Sequence, residues 1–331
     1  MTKLDVTEPP PTDTGRRAGS APSGKPPNGG WRLTLNRLDL KGSPYLYIAP
    51  FFILFGIFGA YPIIYTIWLS ATNRSPLRAE TEFVGFDNFI TLLGDDRFWG
   101  SVINTLGIFV IATVPQLVLA LMLANWLNRQ MRGMGFFRMA IAVPIVTSTA
   151  VVALIFGMFF ARDYGLVNYL LETIGLDRVD WRASQGHSWL AIASMVDWRW
   201  TGYNALIYLA AMQAIPKDLY ESAELDGASR GRQFWTITIP LLQPTIIFTV
   251  IISTIGGLQL FVEPLMFTSG SGALRGGSTG QFQTMNMYLV QTLRDFHEWG
   301  RAGAIALLLI LLTVVVSAIN YWLIRRISSD K

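Results

Sequence analysis

The sequence predicts an all-α membrane protein with six transmembrane helices, and three observations support that prediction. Only 15% of its 331 residues are charged, whereas soluble domains carry about 25%. Charged residues are absent from long windows, and each window exceeds the roughly 20 residues that cross a bilayer as a helix. These windows are continuously apolar, which argues against the alternating pattern of a membrane β-barrel.

The six spans are expected at about 45–70, 101–128, 139–161, 188–215, 240–263 and 302–324. The fourth window contains Asp197 and Arg199 but is otherwise apolar. Residues 1–43 are rich in Pro and Gly and lack an apolar signal-peptide core, which predicts a disordered tail. Residues 44–326 form the membrane domain, and 327–331 are the C-terminal end.

The distribution of basic residues predicts which way the chain faces. With six spans, both termini and the connection between spans 4 and 5 lie on one side. That side holds most of the 26 Lys and Arg residues. The positive-inside rule therefore places the termini and that connection in the cytoplasm.

The opposite face has three connections, at roughly 71–100, 162–188 and 263–300. Two of them contain the amphipathic patterns "FDNFITLL" and "GLVNYLLETIGL", which predict short helices at the membrane interface. The third contains "SGSGALRGGSTG", which predicts a flexible loop because of its glycine content.

The sequence offers no pattern for covalent chemistry or for a bound cofactor. It has no cysteine and only two histidines, His187 and His297, far apart in sequence, so no zinc-ligand spacing is present. The stretch "GSAPSGKP" approaches a nucleotide-binding loop but ends in Pro26 and lacks the flanking strand and helix that such a loop requires. We therefore expect neither an enzyme nor a cofactor site.

Residues 216–236, called the elbow below, are polar yet built of helix-forming residues between two apolar spans. "KDLYESAELD" predicts one short helix, Gly227 a left-handed helix end, and "ASRGRQFW" a second short helix at an angle. A solvated connecting loop is the alternative interpretation. Three large apolar residues, Leu225, Phe234 and Trp235, favour a docking surface instead.

The elbow resembles the coupling-helix signature of ATP-binding-cassette importer permeases, which is Glu-Ala-Ala, three residues, Gly, then about nine residues to Ile-x-x-Pro. Here the matching residues are Glu221-Ser222-Ala223, Gly227 and "ITIP" ending at Pro240, with Ser222 replacing the first Ala. The resemblance to the carbohydrate-uptake, maltose-type subgroup extends from about Tyr45 onward. It includes "VGFDNFITLL", "NTLGIFV", "FFRMAIAVPIV" and "QTMNMYLVQTLRDFHEWGRAGAIA".

This resemblance implies a permease subunit in a bacterial plasma membrane. It implies a second, homologous permease, a cytoplasmic ATPase dimer that binds the ATP, and an external solute-binding protein. The residues implied to contact the ATPase are Glu221, Ser222, Ala223, Asp226, Gly227, Ala228, Phe234 and Pro240.

The substrate path is expected where polar groups interrupt the spans, because such groups usually face a cavity or a partner. Hydroxyl-bearing sugars suit amides, carboxylates and stacked aromatic rings. The candidates are Trp198, Trp200, Tyr203, Asn204, Gln259, Phe261 and Glu263. The tryptophans are equally compatible with an interfacial belt, and Asp197 and Arg199 with a structural role.

The stretch "GGLQLFVEP" from Gly256 is expected to be a loosened helix that carries Gln259 and Glu263 on one side and stops or kinks at Pro264. It is similar to permeases for β-linked disaccharides such as cellobiose. A glycerol-phosphate permease is the alternative within the family. A secondary transporter or a membrane scaffold is the alternative outside it.

Overall fold

The structure is a computed structural model that describes residues 45–129, 133–268, 270 and 272–329, with side chains up to residue 326. The predicted disordered tail, 1–43, lies outside the described residues. The chain divides into two units, residues 1–61 and 62–331. Within the first unit, the described residues are helical and include a π turn at Gly56–Ala60.

Every named element of the described chain is a helix, which confirms the all-α prediction. The helices are α1 (Tyr45–Ser70), α2 (Asp87–Leu93), α3 (Asp96–Leu127), α4 (Met134–Val146), α5 (Thr149–Phe159), α6 (Leu166–Thr173), α7 (Gln185–Gln213), α8 (Lys217–Leu225), α9 (Arg230–Leu258), α10 (Val262–Phe267), α11 (Met285–Arg294) and α12 (Trp299–Ser329).

Four of the described helices, α1, α3, α9 and α12, are long and apolar enough to cross a membrane. The predicted third span, 139–161, is not one straight helix, because α4 and α5 meet at an angle of 96° around Thr147 and Ser148. If this bent pair is one span, the number rises to five. Helix α7 occupies the expected fourth span, and the count of six stays a prediction.

The core of the second unit forms where α3 packs along α7, the most extensive helix pairing. Fully buried alanines and aliphatic residues from both helices fill this contact, among them Ile108, Ala112, Ala191 and Ile192. Gly202 on α7 also allows the backbone of α4 to approach, since a Cβ there would lie 1.9 Å from the Ile141 carbonyl oxygen. Small residues at such positions are typical of close helix contacts in membranes.

The two predicted short helices on the face opposite the elbow are present as α2 and α6. The described part of the predicted glycine-rich loop, residues 270 and 272–280, is irregular apart from one short turn, and its flexibility stays a prediction. Residues Ala273–Arg275 form a short 3₁₀ turn, and Gln281, Phe282 and Gln283 are buried. Helix α11, which follows, was not anticipated from the sequence.

The fifth span ends earlier than expected. Helix α9 stops at Leu258, and a new helix, α10, begins at Val262. The break therefore lies at residues 259–261, and Pro264 sits inside the first turn of α10 instead of ending the span. Gln259 and Glu263 consequently do not share one helix face.

Candidate functional site

The first arm of the elbow is the short helix α8. It ends at Gly227, whose φ of +76° is the left-handed conformation that glycine adopts at low cost. The amide of Ala228 donates to the Ala223 carbonyl at 2.9 Å and that of Gly227 to the Glu224 carbonyl at 3.0 Å. These bonds satisfy the last carbonyls of the helix, as expected for a left-handed helix end.

The second arm is not a separate angled helix, which corrects the prediction. Ser229 caps it by accepting a hydrogen bond from the Arg232 amide at 3.4 Å. From Arg230 the chain continues as one 29-residue helix to Leu258, with a π turn at Phe234–Thr238. The second arm is therefore continuous with α9, one of the four described helices long and apolar enough to cross a membrane.

Two side-chain contacts hold the arms in one shape. The Tyr220 hydroxyl lies 2.9 Å from the Thr238 hydroxyl, which joins α8 to α9. The Gln233 amide donates to the Ala228 carbonyl at 3.2 Å. Phe234 packs against the buried cluster that includes Leu209 and Met212. The elbow is thus a braced bend and not a loose loop.

The surface of the elbow combines charge with exposed apolar groups. Leu225 is 91% exposed and Trp235 is 64% exposed. Of the predicted coupling residues, Ala223, Ala228 and Phe234 are partly buried, and the others are exposed, namely Glu221, Ser222, Asp226, Gly227 and Pro240. Exposed apolar side chains on an otherwise polar, rigid element are typical of a protein interface.

Inside the bundle, Arg199 of α7 and Glu263 of α10 form an ion pair. The Arg199 Nη1 lies 3.6 Å from the Glu263 Oε1, and the side chains are 13% and 7% exposed. The sequence left the role of Arg199 open and put Glu263 on the substrate path. The structure brings the two together, and the pair joins α7 to the segment after the α9 break.

Asn204 belongs to a row of polar contacts between α7 and α9. Its amide donates to the Ser253 hydroxyl at 3.1 Å, and the Tyr208 hydroxyl lies 2.6 Å from that of Thr249. A small cavity beside this row is lined by Trp200 and Ser253 together with residues of α3. Two buried α3 atoms, the Thr113 Oγ1 and the Gln116 Nε2, have no hydrogen-bond partner.

The remaining predicted path residues lie in different surroundings. Trp200 contacts Tyr203 edge to face at 5.7 Å between ring centroids. Trp198 contacts Phe156 at 5.9 Å and is 42% exposed. Phe261 is partly buried at the start of α10, whereas Gln259 is exposed. The structure thus assembles one polar cluster from the predicted path residues. It contains Trp200, Asn204 and the two unpaired α3 groups on Thr113 and Gln116.

Asn104 is the residue that the sequence reasoning missed. It is 1% exposed in α3, and its amide donates to the carbonyls of Gly280 at 2.8 Å and Gln283 at 3.1 Å. Its Oδ1 accepts from Gln185 at 2.9 Å and from the Trp189 indole at 3.1 Å. An amide within an apolar window was the available signal, since such groups need partners in the membrane.

We expect Arg199→Ala to destabilise the protein by roughly 3–5 kcal/mol, because it leaves the Glu263 carboxylate buried without its partner. Arg178→Ala is the matched control. It removes an ion pair with Glu172 whose side chains are 48% and 42% exposed, and exposed pairs contribute about 0–1 kcal/mol. Thermal unfolding of the purified variants measures both. Equal losses would contradict a structural role for the Arg199–Glu263 pair.

Comparison with known proteins agrees with this architecture. Residues 95–329 match the family described as the binding-protein-dependent transport system inner membrane component. The lactose transport system permease protein LacF of Rhizobium radiobacter is 35% identical, over 89% of this chain and 97% of that protein. The sn-glycerol-3-phosphate transport system permease protein UgpA of Agrobacterium fabrum is 28% identical, over 86% and 94%.

Among solved structures, a bacterial ABC transporter involved in the import of the acidic polysaccharide alginate contains a similar chain. The two superpose with a TM-score of 0.74 at 25% identity, covering 90% of this chain and 99% of that one. The family match covers well over half of this chain and contains the elbow, the broken fifth span and Asn104. The chain therefore belongs to the family of inner-membrane components of binding-protein-dependent transport systems.

Proposed function

We propose that this chain is the permease subunit of an ATP-driven importer that moves a sugar or oligosaccharide into the cytoplasm. The braced elbow supports this proposal most strongly. It presents exposed Leu225 and Trp235 on a rigid bend that continues into a membrane helix. Such a surface suits a partner that supplies motion, and the sequence carries no nucleotide-binding motif of its own.

The proposed partners follow from this separation, in which one chain forms part of the membrane path and another binds ATP. A cytoplasmic ATPase dimer holds the ATP and contacts the predicted coupling residues of the elbow, so this chain is non-catalytic and needs no cofactor. A second, homologous permease completes the pore, and an external binding protein delivers the solute. The protein is a multi-pass component of the bacterial plasma membrane, with both termini and the elbow on the cytoplasmic side.

The sugar class is supported by the chemistry of the polar cluster. At the cavity, Trp200 offers an aromatic ring, and Thr113, Gln116 and Ser253 offer uncharged hydrogen-bonding groups. Neutral hydroxylated solutes match these groups. A glycerol-phosphate would need unpaired cations in the path, whereas Arg199, which lies beside this cluster in sequence, is already paired with Glu263. A β-linked disaccharide such as cellobiose is the specific candidate.

Reconstitution in proteoliposomes tests this function. The chain is incorporated with its sister permease and ATPase, and uptake of radiolabelled cellobiose, maltose and glycerol-3-phosphate is measured. We expect disaccharide uptake that requires internal ATP and the added binding protein. Uptake driven by an ion gradient without ATP would identify a secondary transporter, and ATPase binding without any uptake would identify a scaffold. Either result would overturn the proposal.

A further inference from the structure

A pocket of about 340 Å³ opens at the end of α3 that lies farthest from the elbow. The start of α3, the turn before residue 284 and helix α11 contribute to it. Its principal lining residues are Arg97, Arg275, Ser278, Thr279, Gln283 and Gln291. None of these is among the coupling or path residues above, so the pocket is a separate feature of the chain.

The charged residues that line the pocket are both basic. Arg97 and Arg275 reach it from elements 178 positions apart (275 − 97). Among the described residues, no acidic side chain lines the pocket and neither guanidinium takes part in an ion pair. The positive end of the α3 helix dipole lies at the same place and adds to the attraction for an anion.

Asp95, two residues before Arg97, is already engaged in two hydrogen bonds. Asp95 caps α3 by accepting from the Arg97 backbone amide at 2.9 Å, and its other oxygen accepts from the Tyr288 hydroxyl at 2.5 Å. Burial, and next the hydrogen bond to Asp95, raise the pKa of the Tyr288 phenol. The phenol therefore stays protonated and keeps donating to Asp95. Among the described residues, neither Asp95 nor the adjacent Asp96 forms an ion pair with the Arg97 guanidinium.

A buried amide supplies a further donor. Gln291 is 5% exposed, and its Oε1 accepts from the Gln283 side chain at 2.7 Å. The Gln283 amide also donates to the Leu274 carbonyl at 2.7 Å, which fixes the orientation of both amides. The Nε2 of Gln291 then has no acceptor among the described residues. This N–H is therefore free to donate to a molecule in the pocket.

We propose that this pocket binds the carboxylate of a small solute of about the size of a uronic acid. A guanidinium pairs with a carboxylate through two parallel hydrogen bonds, and two guanidiniums, the Gln291 N–H and the Ser278 hydroxyl are all able to donate. The volume lies at the small end of the range of roughly 300–1,000 Å³ typical of ligand pockets. A neutral sugar of the same size lacks the group that these donors select.

The test compares sodium glucuronate with glucose. The two sugars differ only at C6, which is a carboxylate in glucuronate and a hydroxymethyl group in glucose. Binding to the complete transporter in nanodiscs is measured by calorimetry at low ionic strength and without ATP. We expect glucuronate to bind at least tenfold more tightly than glucose. Arg97→Gln or Arg275→Gln should each weaken glucuronate binding about tenfold. Arg78→Gln, a matched change in a different cleft, should leave it unchanged.

Three results would overturn this assignment. They are equal binding of the two sugars, glucuronate binding that survives the Arg97→Gln, Arg275→Gln double variant, and a preference for inorganic phosphate over glucuronate. The assay needs neither ATP nor transport. A negative binding result therefore does not contradict the proposed sugar import, and a negative uptake result does not contradict the assignment of this pocket.

Discussion

Gly227→Val is expected to leave the permease folded and inserted while reducing ATP-dependent uptake about tenfold or more. The Gly227 φ of +76° is a conformation that costs an L-residue roughly 1–2 kcal/mol, and a β-branched side chain restricts it further. Because no atom lies within 4 Å of the added Cβ, the effect comes from the backbone alone. The bend that aims α8 at the ATPase should shift, and ATP hydrolysis should continue without uptake.

Gly231→Val is the matched control for this prediction. Gly231 lies four residues further along the same elbow, also with no atom within 4 Å of its added Cβ, but within a helix. Valine is a better helix former than glycine, so uptake should stay near the normal rate. Hydrolysis and uptake are measured on the same proteoliposomes. Equal behaviour of the two variants would show that the left-handed helix end has no part in coupling.

Asn104→Ala is expected to be among the most destabilising single changes in the chain. It removes two donors and one shared acceptor at a fully buried point. Each buried group left unpaired costs about 1–3 kcal/mol, so a total loss of roughly 3 kcal/mol or more is expected. The segment around Gly280 and Gln283 should then detach from α3. The melting temperature of the protein should fall by several degrees.

Gln213→Ala is the control, because Gln213 carries an exposed amide at the end of α7. Its melting temperature should match that of the parent protein within about a degree, as for most surface changes. Limited proteolysis adds a local readout, since the turn at residues 273–283 should become cleavable only in Asn104→Ala. An undisturbed turn in that variant would contradict the positioning role of Asn104.

The sequence predicted the elbow well because its signals are local. Gly227 marks the end of the first helix because glycine adopts the left-handed conformation at low cost. The error there was the assumption that a second angled helix follows. No local signal separates a short helix from the first turns of a long one, and the π turn at Phe234–Thr238 leaves no mark in composition.

The outer connection was predicted less completely, because its contacts are not local. Its glycines predicted a loop, and they gave no sign that Asn104, 176 residues away in sequence, donates to the Gly280 carbonyl. Gln185 and Trp189 in turn donate to the Asn104 Oδ1 and fix its orientation. Long-range partners of this kind have no periodic signature. The same holds for Arg199 and Glu263, whose pairing depends on the break after Leu258 that hydropathy alone does not reveal.

The central claim is that this braced bend transmits motion from a separate ATPase to the bundle. Cross-linking of the elbow is its most direct test. The chain has no cysteine, so Ser222→Cys creates a single site for a benzophenone maleimide in the assembled, transporting complex. We expect an adduct with the ATPase whose yield changes when ATP is bound, and none from Glu80→Cys on the opposite face. An elbow probe that never reaches the ATPase while uptake continues would contradict the account.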